Sequence, residues 1–97
     1  MNARVVTVQV QPGKIDEAIN IYRDSVLPAA AEQKGFKGAF LLTDRKTGKA
    51  ISIALWETEA DLTATETGGW YQQQIAKFAA VFAAPSGREL FEVSVQK

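Results

Sequence analysis

The stretch Gly35–Glu57, GFKGAFLLTDRKTGKAISIALWE, decides the fold. It opens with strand character over GFKGAFLLT (35–43), where Phe36, Phe40 and Leu42 fall on one side and Ala39 and Leu41 on the other. DRKTGK (44–49) is polar and carries a glycine, the composition of a loop that joins hairpin strands. AISIALWE (50–57) supplies the mate strand, with Ile51, Ile53 and Leu55 on its apolar face and Ser52, Ala54 and Trp56 on the other. Period-two alternation is what a pleated strand requires, because successive side chains point to opposite faces.

Working outward, RVVTVQV (4–10) is rich in β-branched residues and sets Val6, Val8 and Val10 against Val5, Thr7 and Gln9. Pro12-Gly13 turns the chain. From Lys14 to about Lys34 the period becomes helical, with Ile15, Ala18, Ile19, Tyr22, Val26 and Leu27 on one apolar stripe. Asp16 and Glu17 in the first turn and Lys34 in the last match the helix dipole, and Gly35 supplies the stop. Pro28 predicts a bend near Asp24–Pro28, since it removes one backbone bond.

Beyond the hairpin, Thr58 is an N-cap for EADLTATE, with Asp61 at the capping-box position. ETGGWYQQQ (66–74) then breaks the helix, because two interior glycines cost about 1 kcal/mol each against alanine. The reading is a short helix ending near Glu66, a turn, and a longer helix starting at Trp70 with the stripe Tyr71, Ile75, Phe78, Ala79 and Phe82. APSG (84–87) ends it. ELFEVSVQ (89–96) is the last strand, with Phe91, Val93 and Val95 on one face. The order is that of an α+β, ferredoxin-like βαββαβ domain spanning residues 1–97, with a four-stranded antiparallel sheet and both helices on one side.

Eleven basic and eleven acidic side chains cancel without clustering, which argues against nucleic-acid and membrane partners and for a soluble cytoplasmic protein. Cysteine and histidine are both absent. Disulfides, thiol nucleophiles, Cys/His metal sites and serine–histidine chemistry are thereby excluded. Catalysis would have to come from carboxylates, amides, hydroxyls, lysine, arginine, aromatics or a bound cofactor. The sheet face away from the helices would carry some combination of Val5, Thr7, Ala39, Leu41, Ser52, Ala54, Trp56, Leu90 and Ser94, depending on register. Leu41 and Trp56 are hard to leave wet, so that face is expected to pair with a second copy as a homodimer.

Three features together resemble the dimeric α+β barrel superfamily and, within it, the antibiotic biosynthesis monooxygenase domain. They are VLPAAAEQKGFKGAFLL with its Gly-Phe-x-Gly, ALWETEADL with its Trp-Glu, and the overall order and length. The resemblance implies paired ferredoxin-like subunits with a pocket in each between sheet and helices. It also implies one of two chemistries. Some relatives oxidise polycyclic phenolic substrates with molecular oxygen and neither metal nor flavin. Others degrade haem with a histidine ligand, a helix tryptophan and an asparagine inside the first strand. This chain has no histidine, and its early Asn2 is expected before the strand, so the haem route is disfavoured.

The implied activity is therefore a monooxygenase without cofactor or metal, acting on a small aromatic or enolisable substrate. The alternative is a non-catalytic barrel that binds a hydrophobic small molecule. Trp70, Tyr22 and Tyr71 are the candidate catalytic residues, and Trp70, Tyr22, Phe40 and Phe78 the candidate substrate-binding ones. Each aromatic also has a packing role available to it. Trp56 is read as structural, Arg23-Asp24 as a solvated ion pair, and Gln72–Gln74 as a polar face from which Gln74 could present a neutral hydrogen-bonding group in place of a ligating residue.

Overall fold

The computed structural model describes residues 1–97. Its elements are β1 (Asn2–Gln9), α1 (Ile15–Ile21), a π-helical turn (Tyr22–Val26), α2 (Leu27–Ala31), β2 (Phe36–Thr43), β3 (Lys49–Trp56), α3 (Glu59–Thr67), α4 (Trp70–Ala76) and β4 (Gly87–Glu92). The strands pair antiparallel throughout in the order β2-β3-β1-β4. The helices lie over one face, as the ferredoxin-like α+β reading expects. No helix is long and apolar enough to cross a membrane.

The register of the hairpin reverses the expected facing of β2 and β3. Phe36 stands opposite Trp56 but Gly38 stands opposite Leu55, so a bulge at Lys37 switches the parity of β2. Phe36 stays on the helix side, whereas Phe40 and Leu42 point away from it, 57% and 50% exposed. Ile51, Ile53 and Leu55 join them by pairing. Ala39, Leu41, Ser52, Ala54 and Trp56, expected on the free face, turn toward the helices instead. Both faces of these strands are apolar, so alternation could not choose between them, and a one-residue slip exchanges the two sets. β1 keeps its expected facing, with Val6 and Val10 buried. β1 also starts at Asn2, two residues early, and β4 stops at Glu92. Leu90 pairs with Arg4 on the helix side, Phe91 lies on the free face, and Val93 and Val95 fall beyond the strand.

Pro28 produces a local change of helix type within the expected bend. In a regular α-helix its ring would meet the Asp24 carbonyl, and it has no N–H to give that oxygen. The turn before it widens: Leu27 N–H bonds to Tyr22 O, five residues back. The helix ends at Ala31 rather than Lys34. Glu32 and Gln33 close on Ala29 and Ala30 through three-residue turns, and the chain then reverses at Gly35.

The expected corner between α3 and α4 is present. Thr58 Oγ1 accepts from Asp61 N at 3.0 Å to start α3, and Gly69, at φ +84°, makes the left-handed link into Trp70. α4 is shorter than expected. Gln11 N bonds to Val81 O and Ala83 N to Gln9 O, so the end of β1 draws the chain out of the helix after Ala76.

Gly35 also has φ +84°, and a Cβ there would overlap the Asp61 side chain. The left-handed conformation alone costs a non-glycine residue about 1–2 kcal/mol. Gly35→Ala is therefore expected to lose about 2 kcal/mol or more in urea denaturation. Unchanged stability would show that this corner tolerates a side chain.

Candidate functional site

Between the sheet and its helices lies a cavity that is partly open to solvent. Of its 24 lining residues, 20 are hydrophobic, which suits an apolar ligand held by a few polar groups. Its floor is made of short side chains. Ala39 and Ala54 stand directly opposite each other on β2 and β3, and Leu41 faces Ser52 beside them. Ile75 from α4, Phe78 just beyond its end, and Val26 and Leu27 from the first helical arm form the roof.

One polar pole is built on the π-turn. Tyr22 Oη lies 2.8 Å from Ser52 Oγ and donates weakly to Phe40 O at 3.4 Å. Burial pushes the Tyr22 phenol above the ordinary tyrosine pKa, against a smaller opposing effect of the Ser52 hydrogen bond. The opposite pole is built on β1, the end of β3 and the α3–α4 corner. Ser52 and Trp56 share one face of β3 four residues apart, so the poles are separated by roughly 13 Å.

Arg4 organises the second pole. Its side chain is 3% exposed, the lone charge on the β1 face of Val6, Val8 and Val10. Nε donates to Glu66 Oε2 at 3.0 Å, and Nη2 donates to Thr65 Oγ1 and to Leu62 O. The guanidinium carbon stands 4.2 Å from the Tyr71 ring centroid and 5.9 Å from that of Trp56. Burial lowers the Arg4 pKa while Glu66 opposes the shift, and a guanidinium so paired stays charged. The Tyr71 phenol is raised, chiefly by burial, with Arg4 and Arg88 opposing. Both cavity tyrosines therefore keep their protons at neutral pH and serve as donors, not bases.

Two buried polar atoms on cavity-lining residues have no partner: Trp56 Nε1, at this pole, and Gln74 Oε1 on α4. Trp56 is wholly buried and held edge-on by Phe36 at 5.5 Å and Trp70 at 6.1 Å. An unmade hydrogen bond in such surroundings costs about 1–3 kcal/mol. Both residues line the cavity, and the two atoms are covered in the empty protein, so a ligand reaches them only by displacing the side chains that cover them.

Of the residues singled out in the sequence, Trp70, Tyr71, Tyr22 and Phe78 all line the cavity. Phe40 does not, since the bulge turns its ring to the free sheet face and only its carbonyl meets Tyr22. Arg23 and Asp24 form the exposed pair expected of them. Arg4 and Ser52 went unread as site residues, and Trp56 was assigned to packing. The signal for Arg4 was available, because a single charge interrupts an otherwise apolar strand face. Asn2 lies within β1 after all, which leaves the missing histidine as the sequence's argument against the haem route.

Comparison with known proteins agrees with this architecture. The family model for antibiotic biosynthesis monooxygenases matches residues 1–83. Two uncharacterized proteins of Mycobacterium tuberculosis, Rv2558 and Rv2557, are each 43% identical over 56 residues, 58% of this chain. The matched segment is 24% and 25% of their lengths, so the chain spans only about a quarter of these relatives. Among solved structures, SnoaB, a cofactor-independent oxygenase from Streptomyces nogalater, superposes with a TM-score of 0.79 at 19% identity, over 98% of this chain and 94% of its own. The ActVA-Orf6 monooxygenase of Streptomyces coelicolor, in complex with nanaomycin D, gives 0.79 at 15% identity over 99% and 89%. NE2512 of Nitrosomonas europaea, a protein of unknown function, gives 0.79 at 22% over 99% and 91%. At these identities the structural likeness speaks for the fold, while the family match covers most of the chain: it belongs to the antibiotic biosynthesis monooxygenase family.

Proposed function

We propose that the chain is a cofactor-independent monooxygenase acting on a planar, enolisable or phenolic aromatic bound between the sheet and the helices. The observation that carries this reading is that Trp56 Nε1–H and Gln74 Oε1 are both unpartnered on residues that line a mostly apolar cavity. The description of SnoaB as a cofactor-independent oxygenase points the same way.

The chemistry asks little of the protein beyond placement and charge stabilisation. A substrate C–H flanked by a carbonyl and aromatic rings loses its proton to water at the cavity mouth. The electron pair left on carbon is delocalised onto the carbonyl oxygen, and in this reading Trp56 Nε1–H donates to that oxygen. The pair passes to dioxygen and a carbon–oxygen bond forms. Loss of water from the hydroperoxide leaves a new carbonyl, so that a CH2 group and O2 become C=O and H2O. Gln74 Oε1 accepts from a substrate hydroxyl, and the apolar walls hold the ring in one plane. Satisfying both buried groups returns about 2–6 kcal/mol on binding, enough to fix orientation as well as occupancy.

Oxygen uptake with a panel of anthrone-like and hydroquinone substrates tests the reading. Turnover is expected, and Trp56→Phe, which keeps a smaller aromatic ring and removes the donor, is expected to lower kcat about 100-fold. Binding without turnover by any member of the panel would contradict the oxygenase and favour a carrier of aromatic compounds.

We further propose that the free sheet face pairs with a second copy. Phe40, Leu42 and Phe91 are each about half exposed there, beside Ile51, Ile53 and Leu55, and a continuous apolar face of this kind on a small domain calls for cover. One face closing on its own copy is an isologous twofold contact. Equilibrium sedimentation at micromolar concentration is expected to give twice the 10.6 kDa chain mass, and Phe40→Glu to give the monomer. A wild-type protein that sediments as a monomer would refute the pairing.

A further inference from the structure

Two guanidiniums share a single carboxylate at the Trp56 pole. Glu66 takes Arg4 Nε on Oε2 at 3.0 Å and Arg88 Nη2 on Oε1 at 2.8 Å, with its own side chain only 12% exposed. Two positive charges against one negative leave one in excess. These three are also the charged groups that influence the Tyr71 phenol. Arg4 is the member that lines the cavity, and it is almost fully buried.

A clamp between β1 and α3 requires only one cation for one carboxylate. The second guanidinium adds unbalanced charge beside a low-dielectric cavity, where its field is weakly screened. Nε and Nη2 of Arg4 are committed to Glu66, Thr65 and the Leu62 carbonyl, whereas none of its hydrogen bonds uses Nη1. Trp56 Nε1–H, also unpartnered, belongs to the same pole. A free guanidinium donor and an excess positive charge therefore meet at one end of a mostly apolar space.

We propose that the Arg4–Glu66–Arg88 cluster makes this end of the cavity an anion subsite, so that the ligand is an aromatic carboxylate whose acid group lies against Arg4. A carboxylate oxygen accepts from Arg4 Nη1, which leaves Trp56 Nε1–H to the reacting carbonyl, and the rings lie over Ala39 and Ala54. This rests on the reading that the cavity binds a planar aromatic, and it adds the charge that such a ligand carries.

Isothermal titration calorimetry with two probes of the same ring and similar shape tests it: 2-naphthoate, which is anionic, and methyl 2-naphthyl ketone, which is neutral. The wild-type protein is expected to bind the naphthoate about tenfold or more tightly than the ketone. Arg88→Gln removes the excess charge from a half-exposed position. It is expected to weaken naphthoate binding about fivefold and leave the ketone unchanged. Glu66→Gln keeps an acceptor for Arg4 and is expected to strengthen naphthoate binding. Equal affinity for the two probes, unmoved by Arg88→Gln, would overturn the anion subsite and leave the aromatic cavity standing. Failure of both probes to bind would overturn the cavity reading and this inference with it.

Discussion

Short side chains on one face of the sheet are held away from the helices by long ones around them. Ala39, Ala54 and Ser52 form the floor, while Trp56, Phe36 and Phe78 stand at the edges and set the separation between the layers. Helix and sheet can approach only as closely as the larger rings allow, and protein interiors otherwise pack without voids. The unfilled space is therefore a consequence of residue volumes along β2 and β3. The bulkier residues of the same strands, Phe40, Leu42, Ile51, Ile53 and Leu55, are spent on the other face. A sheet with its large apolar side chains on the side without helices is arranged for an open pocket on one face and cover from outside on the other.

What fixes the shape of that pocket at its polar end is Arg4. It connects β1 to the α3–α4 corner through Glu66, Thr65 and the Leu62 carbonyl, and it lies against the rings of Tyr71 and Trp56. A buried guanidinium is costly unless its hydrogen bonds are met and its charge is matched, so these partners are held in a narrow set of positions. The corner itself depends on Gly69, whose left-handed backbone lets α4 start at Trp70 and present Tyr71 and Gln74 to the same space. Structure and site thus share residues here, and the arrangement leaves Trp56 Nε1 and Gln74 Oε1 unpaired within an otherwise well-bonded cluster.

Much of this was legible in the residues. The element order, the Gly68-Gly69 corner, the Thr58 cap and the disturbance at Pro28 follow from local chemistry, in which each residue's own backbone preference decides the outcome. The facing of β2 and β3 did not follow, because it depends on a bulge at Lys37 that shifts parity and on two faces that are both apolar. That single ambiguity moved Phe40 out of the cavity and brought Trp56 and Ser52 into it. Tyr71 and Phe78 follow from a helical stripe, which has only one inward side. The charge of Arg4 on an apolar strand face is visible locally, but its partners lie 58 to 62 residues away in the chain, beyond the reach of a local pattern.

The central claim is that the free Trp56 N–H awaits an acceptor on a bound ligand. The chain has two tryptophans, so a proton–nitrogen correlation spectrum shows two indole N–H signals, and Trp70→Phe assigns them. Titration with methyl 2-naphthyl ketone, which offers a carbonyl acceptor without a charge, is expected to move the Trp56 indole proton downfield as its hydrogen bond forms. A Trp56 signal that stays in place while the ketone saturates the protein would contradict the account.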